Sequence, residues 1–219
     1  KKYFAMKIIN VTKMKRIMMS KNTTGVDLLE NEIDIMKKAK SARIVQLEEV
    51  IGDEEEGNVY LALEYVPKGS LDIIKVDEDL SEDKIRKYFR QLVEAIEYLH
   101  NNGILHRDIK PGNMLIDDND DLKLCDFGIS EFMKGGSDTL TNTAGTHYFF
   151  SPESCKGKPF SGKKADIWAM GVTLYNLLYW KYPFTGEADN TEEEPKFDKM
   201  ESKRGKASAW ANGISTKSL

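Results

Sequence analysis

Cysteine is scarce in this sequence. Its 219 residues hold two, Cys125 and Cys155, which is no disulfide framework and fits a reducing compartment. Charge of one sign is scarce as well. Lys and Arg number 32 against 36 Asp and Glu, a net charge of −4. No basic field therefore points to nucleic acid or to an anionic membrane surface. Long apolar runs are missing. The longest, residues 167–179, contains Thr173 and Asn176 and is too short to span a bilayer; it predicts a buried core helix instead. No signal-peptide pattern is recognisable, and the expected location is the cytoplasm, with the nucleus as the alternative. The chain opens on Lys1-Lys2-Tyr3 without an initiator Met, and from Gly186 onward it is polar and loses the periodicity of what precedes. Both ends read as cuts in a longer protein, and residues 186–219 as a disordered polar tail.

What is present is well patterned. Residues 3–9 are a short apolar run that predicts a strand. The basic residues of 13–21 predict a solvated connecting loop. Residues 26–40 predict a helix, since Leu28, Leu29, Ile33 and Met36 recur at helical spacing, with Glu32 beside that stripe. Residues 44–51 and 59–66 predict two strands joined by the acidic turn 52–57. Ser81 suits a helix N-cap, and Glu82 and Asp83 suit the positive end of the helix dipole. Ile85, Tyr88, Phe89, Leu92, Ile96 and Leu99 continue as an amphipathic helix that Asn101-Asn102-Gly103 ends. Met114-Leu115-Ile116 and Leu122-Lys123-Leu124 predict a hairpin around residues 117–121. The run Asp166-Ile167-Trp168-Ala169-Met170-Gly171 is apolar almost all round, as a central buried helix would be.

The chemistry concentrates in His106-Arg107-Asp108-Ile109-Lys110-Pro111-Gly112-Asn113 and, downstream, in Asp126-Phe127-Gly128. Phosphoryl transfer needs an acceptor for the hydroxyl proton, and Asp108 fits. It needs oxygen ligands for Mg²⁺, which Asn113 and Asp126 supply, and a cation near the transferred phosphate, which Lys110 supplies. Together the two segments resemble the catalytic loop and the metal-binding loop of eukaryotic protein kinases. Ala5-Met6-Lys7, Leu63-Glu64-Tyr65-Val66, Gly145-Thr146 and Ser151-Pro152-Glu153 resemble further motifs of that family, and the likeness covers roughly residues 1–185.

The resemblance implies an α+β, bilobal protein-kinase-like fold. Residues 1–66 would be an incomplete small β-rich lobe with the hinge, and residues 67–185 a partial helical large lobe. It implies ATP and Mg²⁺ as cofactors. Lys7 would hold the α- and β-phosphates and pair with Glu32, whose alternative is an ordinary surface glutamate. Ala5 would cover the adenine ring, Leu63 would close the back of its pocket and Leu115 would be the floor. The backbone of Glu64 and Val66 would bond the adenine edge. Ser70 at the hinge exit and Cys125, just before the metal loop, complete the implied nucleotide site. Thr146 would bond Lys110 and Asp108, and Asp166 would anchor the catalytic loop's backbone.

Within the family, Lys110 with Thr146 points to a serine/threonine rather than a tyrosine kinase. Leu80-Ser81-Glu82-Asp83, Ile96-Glu97-Tyr98-Leu99-His100, Leu140-Thr141-Asn142-Thr143 and Phe160-Ser161-Gly162-Lys163 resemble the calcium/calmodulin-dependent protein kinase kinases, as does Trp168-Ala169-Met170-Gly171-Val172-Thr173-Leu174-Tyr175. That likeness implies transfer of the ATP γ-phosphate to the activation-segment threonine of another, downstream kinase. It implies calmodulin as a partner too, through a segment that is not recognisable here. Residues 203–219, with Lys203, Arg204, Lys206 and Trp210, can be read as a calmodulin target, but apolar anchors are sparse there and Gly205 and Gly213 lie inside, so a disordered or mistranslated tail is the favoured reading. Asn142 stands where many kinases carry a phosphorylatable Thr, so no phosphate is expected there. Ser70 and Gly112 stand where arginine-directed kinases place acids, so a strong preference for upstream basic residues is not expected. The glycine-rich loop that precedes the Ala5-Met6-Lys7 strand in kinases is not in the sequence, nor is a recognisable arginine partner for Glu153. The alternative function is therefore a catalytically inactive kinase-fold piece acting as a binding or scaffold module. Retention of Lys7, Asp108 and Asp126 argues for an enzyme.

Overall fold

Alternation along Phe4–Asn10 (β1) puts Phe4, Met6 and Ile8 on an exposed face and Ala5, Lys7 and Ile9 on the sheltered one. The structure is a computed structural model and describes residues 2–16, 18–20, 23–53, 55–73 and 80–184. The expected polar tail, with Lys203, Arg204, Lys206 and Trp210, lies outside the described residues.

After β1 the chain makes one helical turn, α1 (Val11–Met14), and a small antiparallel pair, β2 (Met18–Ser20) with β3 (Thr23–Thr24). Residues 13–16 and 18–20 are thus not the plain loop that their charge suggested. The side chain of Asn10 accepts from Lys13 N at 2.8 Å and caps α1, and Lys13, Lys15 and Arg16 stay exposed. A capping box between Thr24 and Asp27 starts the long helix α2 (Gly25–Lys38). Its buried face is Leu29, Glu32, Ile35 and Met36. Leu28 and Ile33, expected on that stripe, are only partly buried, whereas Ile35 is 0% exposed. The face is displaced because α2 packs against the preceding α1 and β3 and against two later elements, β4 (Leu47–Asp53) and β9 (Glu131–Phe132). With β5 (Asn58–Glu64) the main strands form an antiparallel sheet in the order β1-β5-β4. Ile44, expected in a strand, instead bridges to Leu124 below the sheet.

The helical part begins with α3 (Glu82–Asn101), capped by Ser81, whose side chain accepts from Lys84 N. Ile85, Tyr88, Leu92, Ile96 and Leu99 are buried as expected, joined by Ala95 and Gln91, while Phe89 is only partly covered. β6 (Ile104–Leu105) pairs with β9. The hairpin β7 (Met114–Ile116) and β8 (Leu122–Leu124) has the expected bounds. β10 (Thr139–Leu140) pairs with β11 (Phe160–Ser161), which leads into α4 (Gly162–Tyr179). Gly162 allows the close approach of this helix: a Cβ there would lie 2.4 Å from Leu105 Cδ1. α4 is not buried all round. Ala169, Met170, Val172, Leu174 and Leu177 face the core, but Ile167, next to the inward-pointing Asp166, is 51% exposed. Among the described residues no helix is long and apolar enough to cross a membrane.

The turn between β7 and β8 is fastened to α3 by charge and amide together. Gln91 donates to Asp121 at 2.8 Å and accepts from Leu122 N at 2.9 Å, and Lys87 and Arg43 pair with Asp121 at 3.2 Å each. The Gln91 hydrogen bond first, then Lys87 and Arg43, lower the Asp121 carboxyl from 3.8 to about 2 against a smaller opposing effect of burial. A depressed folded-state pKa gives stability that is present above 3.8 and lost as pH falls toward about 2. Asp121→Asn is therefore expected to be less stable than the wild type near neutral pH, with the gap closing across that acid window. Urea midpoints measured at several pH values check this; a gap that stays constant with pH refutes it.

Candidate active site

One carboxylate organises the catalytic loop from below. Asp166 on α4 is 2% exposed and accepts from His106 N (3.0 Å), Arg107 N (2.9 Å) and His100 Nε2 (2.8 Å). With three donors, the buried charge is compensated. The loop adopts a left-handed turn at Arg107, φ 72°, which aims consecutive amides at the same acid. His106 itself is fully buried. Its Nδ1 accepts from Asp108 N at 3.2 Å and its Nε2 faces the carbonyl of Cys125 at 3.2 Å, so the ring is neutral with the proton on Nε2. Burial lowers its pKa and outweighs the opposing pull of Asp166. The ring packs edge-on against Phe127 at 5.3 Å.

Asp108 gathers the residues expected around it. Lys110 Nζ donates to Oδ2 at 2.7 Å and Asn113 Nδ2 to the same oxygen at 3.1 Å. Thr146 reaches Oδ1 with its hydroxyl at 2.8 Å and its backbone N–H at 3.1 Å. Lys110 also reaches Thr146 Oγ1 at 2.9 Å. Burial alone would raise the Asp108 carboxyl, but the hydrogen bonds from Lys110 and Thr146, the Lys110 charge and the Asn113 amide together hold it below the usual range. Gly145 makes the approach of Thr146 feasible. Its φ is +116°, and a Cβ there would meet the Arg107 carbonyl oxygen at 2.6 Å.

The second group lies across the cleft. Lys7 Nζ is 2.6 Å from Glu32 Oε1 and 3.7 Å from Asp126 Oδ1, so Glu32 is not an ordinary surface glutamate but a nearly buried partner of Lys7. Asp126 has φ 65° and a half-exposed side chain, while Phe127 beside it is fully buried. Cys125 N donates to Asn113 O at 3.0 Å, and this backbone bond ties the two loops together. Asn113 Nδ2 further donates to Asp108 O at 2.7 Å, which turns its amide nitrogen toward Asp108 and its side-chain oxygen the other way.

Two pairs among the residues expected at an adenine site are neighbours. Ala5 shares the sheltered face with Lys7 and pairs with Leu63 across the strands. Leu115 is bridged to Ser70. The carboxylate of Glu64 is bound by Lys123 at 2.8 Å and by Gln46 N at 3.2 Å, and its own N–H donates to Gln46 O at 2.8 Å. Val66 buries its side chain. Two residues were not foreseen. Glu131 on β9 pairs with Arg107 at 2.5 Å, and an acid on a short strand carries no sequence signal for that. Asp72 accepts from Ser70 Oγ, and its carboxylate lies 3.1 Å from where a Cβ on Gly112 would be. The corner that Ser70 and Gly112 made look uncharged therefore holds one acid.

A sequence model described as the protein kinase domain matches residues 1–217. The chain belongs to that family. Its sheet and helices are parts of the family's bilobal α+β fold, and such kinases generally use ATP and Mg²⁺. Serine/threonine-protein kinase GRIK1 of Arabidopsis thaliana is 37% identical over 187 residues, covering 85% of this chain and 47% of the relative. CBL-interacting serine/threonine-protein kinase 8 of the same plant is 40% identical over 199 residues, covering 90% of this chain and 42% of the relative. Maternal embryonic leucine zipper kinase of Xenopus tropicalis is 42% identical over 170 residues, covering 76% of this chain and 26% of the relative. The chain thus spans between about a quarter and about half of the length of these kinases.

Cys125 joins the site's electrostatics. Burial, and after it the charge of Asp126, push its thiol up to about 12, against a weaker opposing pull from Lys7. Cys155 is exposed. A small alkylating reagent at about pH 8 should modify Cys155 and spare Cys125, because the thiolate is the reactive form. An electrophile shaped for an adenine pocket should reverse that preference, with Mg²⁺-ATP protecting Cys125. Mass spectrometry of the labelled protein reads both, and equal labelling of the two cysteines would remove Cys125 from the nucleotide site.

Proposed function

We propose that this chain carries the catalytic machinery of a serine/threonine protein kinase, which transfers the γ-phosphate of ATP to a protein hydroxyl. The observation that carries the reading is the Asp108 carboxylate, held by Lys110, Thr146 and Asn113 across the cleft from the Lys7–Glu32 pair. The donor set fits the metal as well. Asn113 and Asp126 offer two hard oxygens from two tied loops, and Mg²⁺ is commonly held by one or two protein oxygens together with substrate phosphates. When bound, it would neutralise charge on the phosphates.

Lys7, fixed by Glu32, would orient the α- and β-phosphates. Ala5, Leu63 and Leu115 would enclose the adenine, and the backbone of Glu64 and Val66 would bond its edge. Ser70 and Cys125 would complete the wall. The acceptor oxygen attacks the γ-phosphorus as the bond to ADP breaks. Asp108 orients that hydroxyl and takes its proton. A carboxylate held below its usual pKa is a weak base, so proton transfer comes late, after much of the P–O bond cleavage, in keeping with a loose transition state. Lys110 would stabilise the developing charge, and Thr146 keeps Lys110 and Asp108 in register.

The substrate we propose is the activation-segment threonine of another kinase, with calcium/calmodulin-dependent protein kinase kinases as the subfamily and calmodulin as a further partner. The sequence likeness over residues 80–83, 96–100, 140–143, 160–163 and 168–175 supports it. Asp72 supplies one carboxylate near Gly112, enough for a mild but not a strong preference for basic residues. Arg107 supports independence from phosphorylation. Its guanidinium is bound by Glu131 and by the Asn142 carbonyl at 2.8 Å, so its positive charge is already answered.

In the full-length protein, Asp108→Asn should lower kcat by about 10²–10⁴-fold while nucleotide binding persists. Turnover near that of the wild type would mean that Asp108 is not the base. Phosphatase treatment of the same protein should leave phosphotransfer nearly unchanged. A large loss, mapped to Thr139, Thr141 or Thr143, would show that Glu131 and Asn142 do not replace a phosphate at Arg107.

A further inference from the structure

Glu32 is not the only residue of α2 that reaches the metal loop. Its neighbour Asn31 is half-buried, and its Nδ2 lies 2.7 Å from the carbonyl oxygen of Ser130. A carbonyl only accepts, so the amide nitrogen of Asn31 must face it. Ser130 is 1% exposed, and its backbone N–H closes a turn onto Phe127 O at 3.1 Å. Its hydroxyl donates to His106 O at 2.9 Å. The turn held in this way spans residues 127–130 and directly follows Asp126.

The two adjacent side chains therefore grip the two ends of residues 126–130. Glu32 acts on the first end through Lys7, which is 3.7 Å from Asp126. Asn31 acts on the last end directly. Through Ser130 and His106 the second grip continues into the catalytic loop, because His106 N is bound by Asp166. The far end of α2 is fastened as well. Lys38 donates to Asn102 O at 3.0 Å and lies over the Phe132 ring at 5.1 Å. All of these contacts require α2 in its present position.

The geometry points to Asn31 as a positioning residue that couples α2 to the metal loop, so that the Lys7–Glu32 pair and the aim of Asp126 are set together. This rests on the kinase reading for its effect on turnover, and on the fold alone for its effect on local order. Asn31→Asp is the isosteric test. It places a carboxylate oxygen where an N–H must stand, against a buried carbonyl, whereas Asn31→Gln keeps the donor.

Two measurements on the full-length protein decide it. Backbone hydrogen exchange without ligand should speed up over residues 25–38 and 126–131 in Asn31→Asp, with α3 unchanged. Steady-state kinetics should show kcat down by about tenfold, the scale of one buried hydrogen bond lost and a carbonyl left unpaired. The KM for the protein acceptor should not change, and Asn31→Gln should recover most of both effects. If Asn31→Asp exchanges and turns over like the wild type, the coupling does not exist. If Gln is as damaging as Asp, the residue only fills space and the inference fails. If the exchange effect appears but the wild type transfers no phosphate to protein, the coupling stands and the proposed function falls.

Discussion

The buried carboxylate of Asp166 is the constraint on which the site depends. It sits on α4 and receives the N–H groups of His106 and Arg107. A charge this deep is tolerable only with its donors in place, and removing the partner of a buried ion typically costs about 3–5 kcal/mol. The loop therefore has little freedom to relax. Two consecutive amides pointing at one acid force the positive φ at Arg107, and that turn throws Asp108 toward the cleft and the Arg107 side chain toward residues 133–153, which the family resemblance implies are the activation segment. A single helix residue thus fixes two functional directions at once.

His106 extends the same logic without adding charge. Fully buried and neutral, it uses both ring nitrogens, one on Asp108 N and the other on the Cys125 carbonyl. The first bond steadies Asp108. The second steadies the strand end that precedes Asp126. A protonated ring would lose the acceptor that Asp108 N needs, so the burial that depresses its pKa preserves the geometry. The catalytic loop and the metal loop are consequently coupled by the His106 ring and by the Cys125–Asn113 backbone bond.

Much of this was legible because it is local. Asp108, Lys110 and Asn113 lie in one run and Asp126 to Gly128 in another, and the hairpin between them has alternating apolar residues and a polar turn that name its register. Ser81 announces α3, and an apolar face recurs along it at helical spacing. The misses are contacts made by residues of ordinary type with partners far along the chain. Glu131 and Asp72 are acids with no periodic or motif signal. Ile35 was hidden because α2 packs on elements before and after it, so its buried face is wider than one stripe. Ile167 is exposed within an apolar run because α4 covers the core with only part of its circumference. Residues 13–21 read as a charged loop because charge is visible in sequence, whereas the Asn10 and Thr24 caps that fold them are single side chains.

Arg107 shows how these levels meet. A guanidinium near a catalytic loop is a demand for negative charge or for oxygen acceptors. Here Glu131 meets it from β9, and the carbonyl of Asn142 meets it from the activation segment, with the Asn142 side-chain oxygen nearby at 3.4 Å. β9 pairs with β6, the strand directly before His106, so Glu131 approaches from a position set by the same short ladder that starts the catalytic loop. The activation segment is in turn pinned at Thr146 by Asp108 and at Thr143 by the carbonyl of Ser154. The segment thus carries pins at residues 142, 143 and 146. Those at 142 and 146 lead back to neighbouring residues of the catalytic loop, and that loop leads back to Asp166. Order in the segment follows from order in the loop, so the acid on α4 reaches residues 142 and 146 through Arg107 and Asp108.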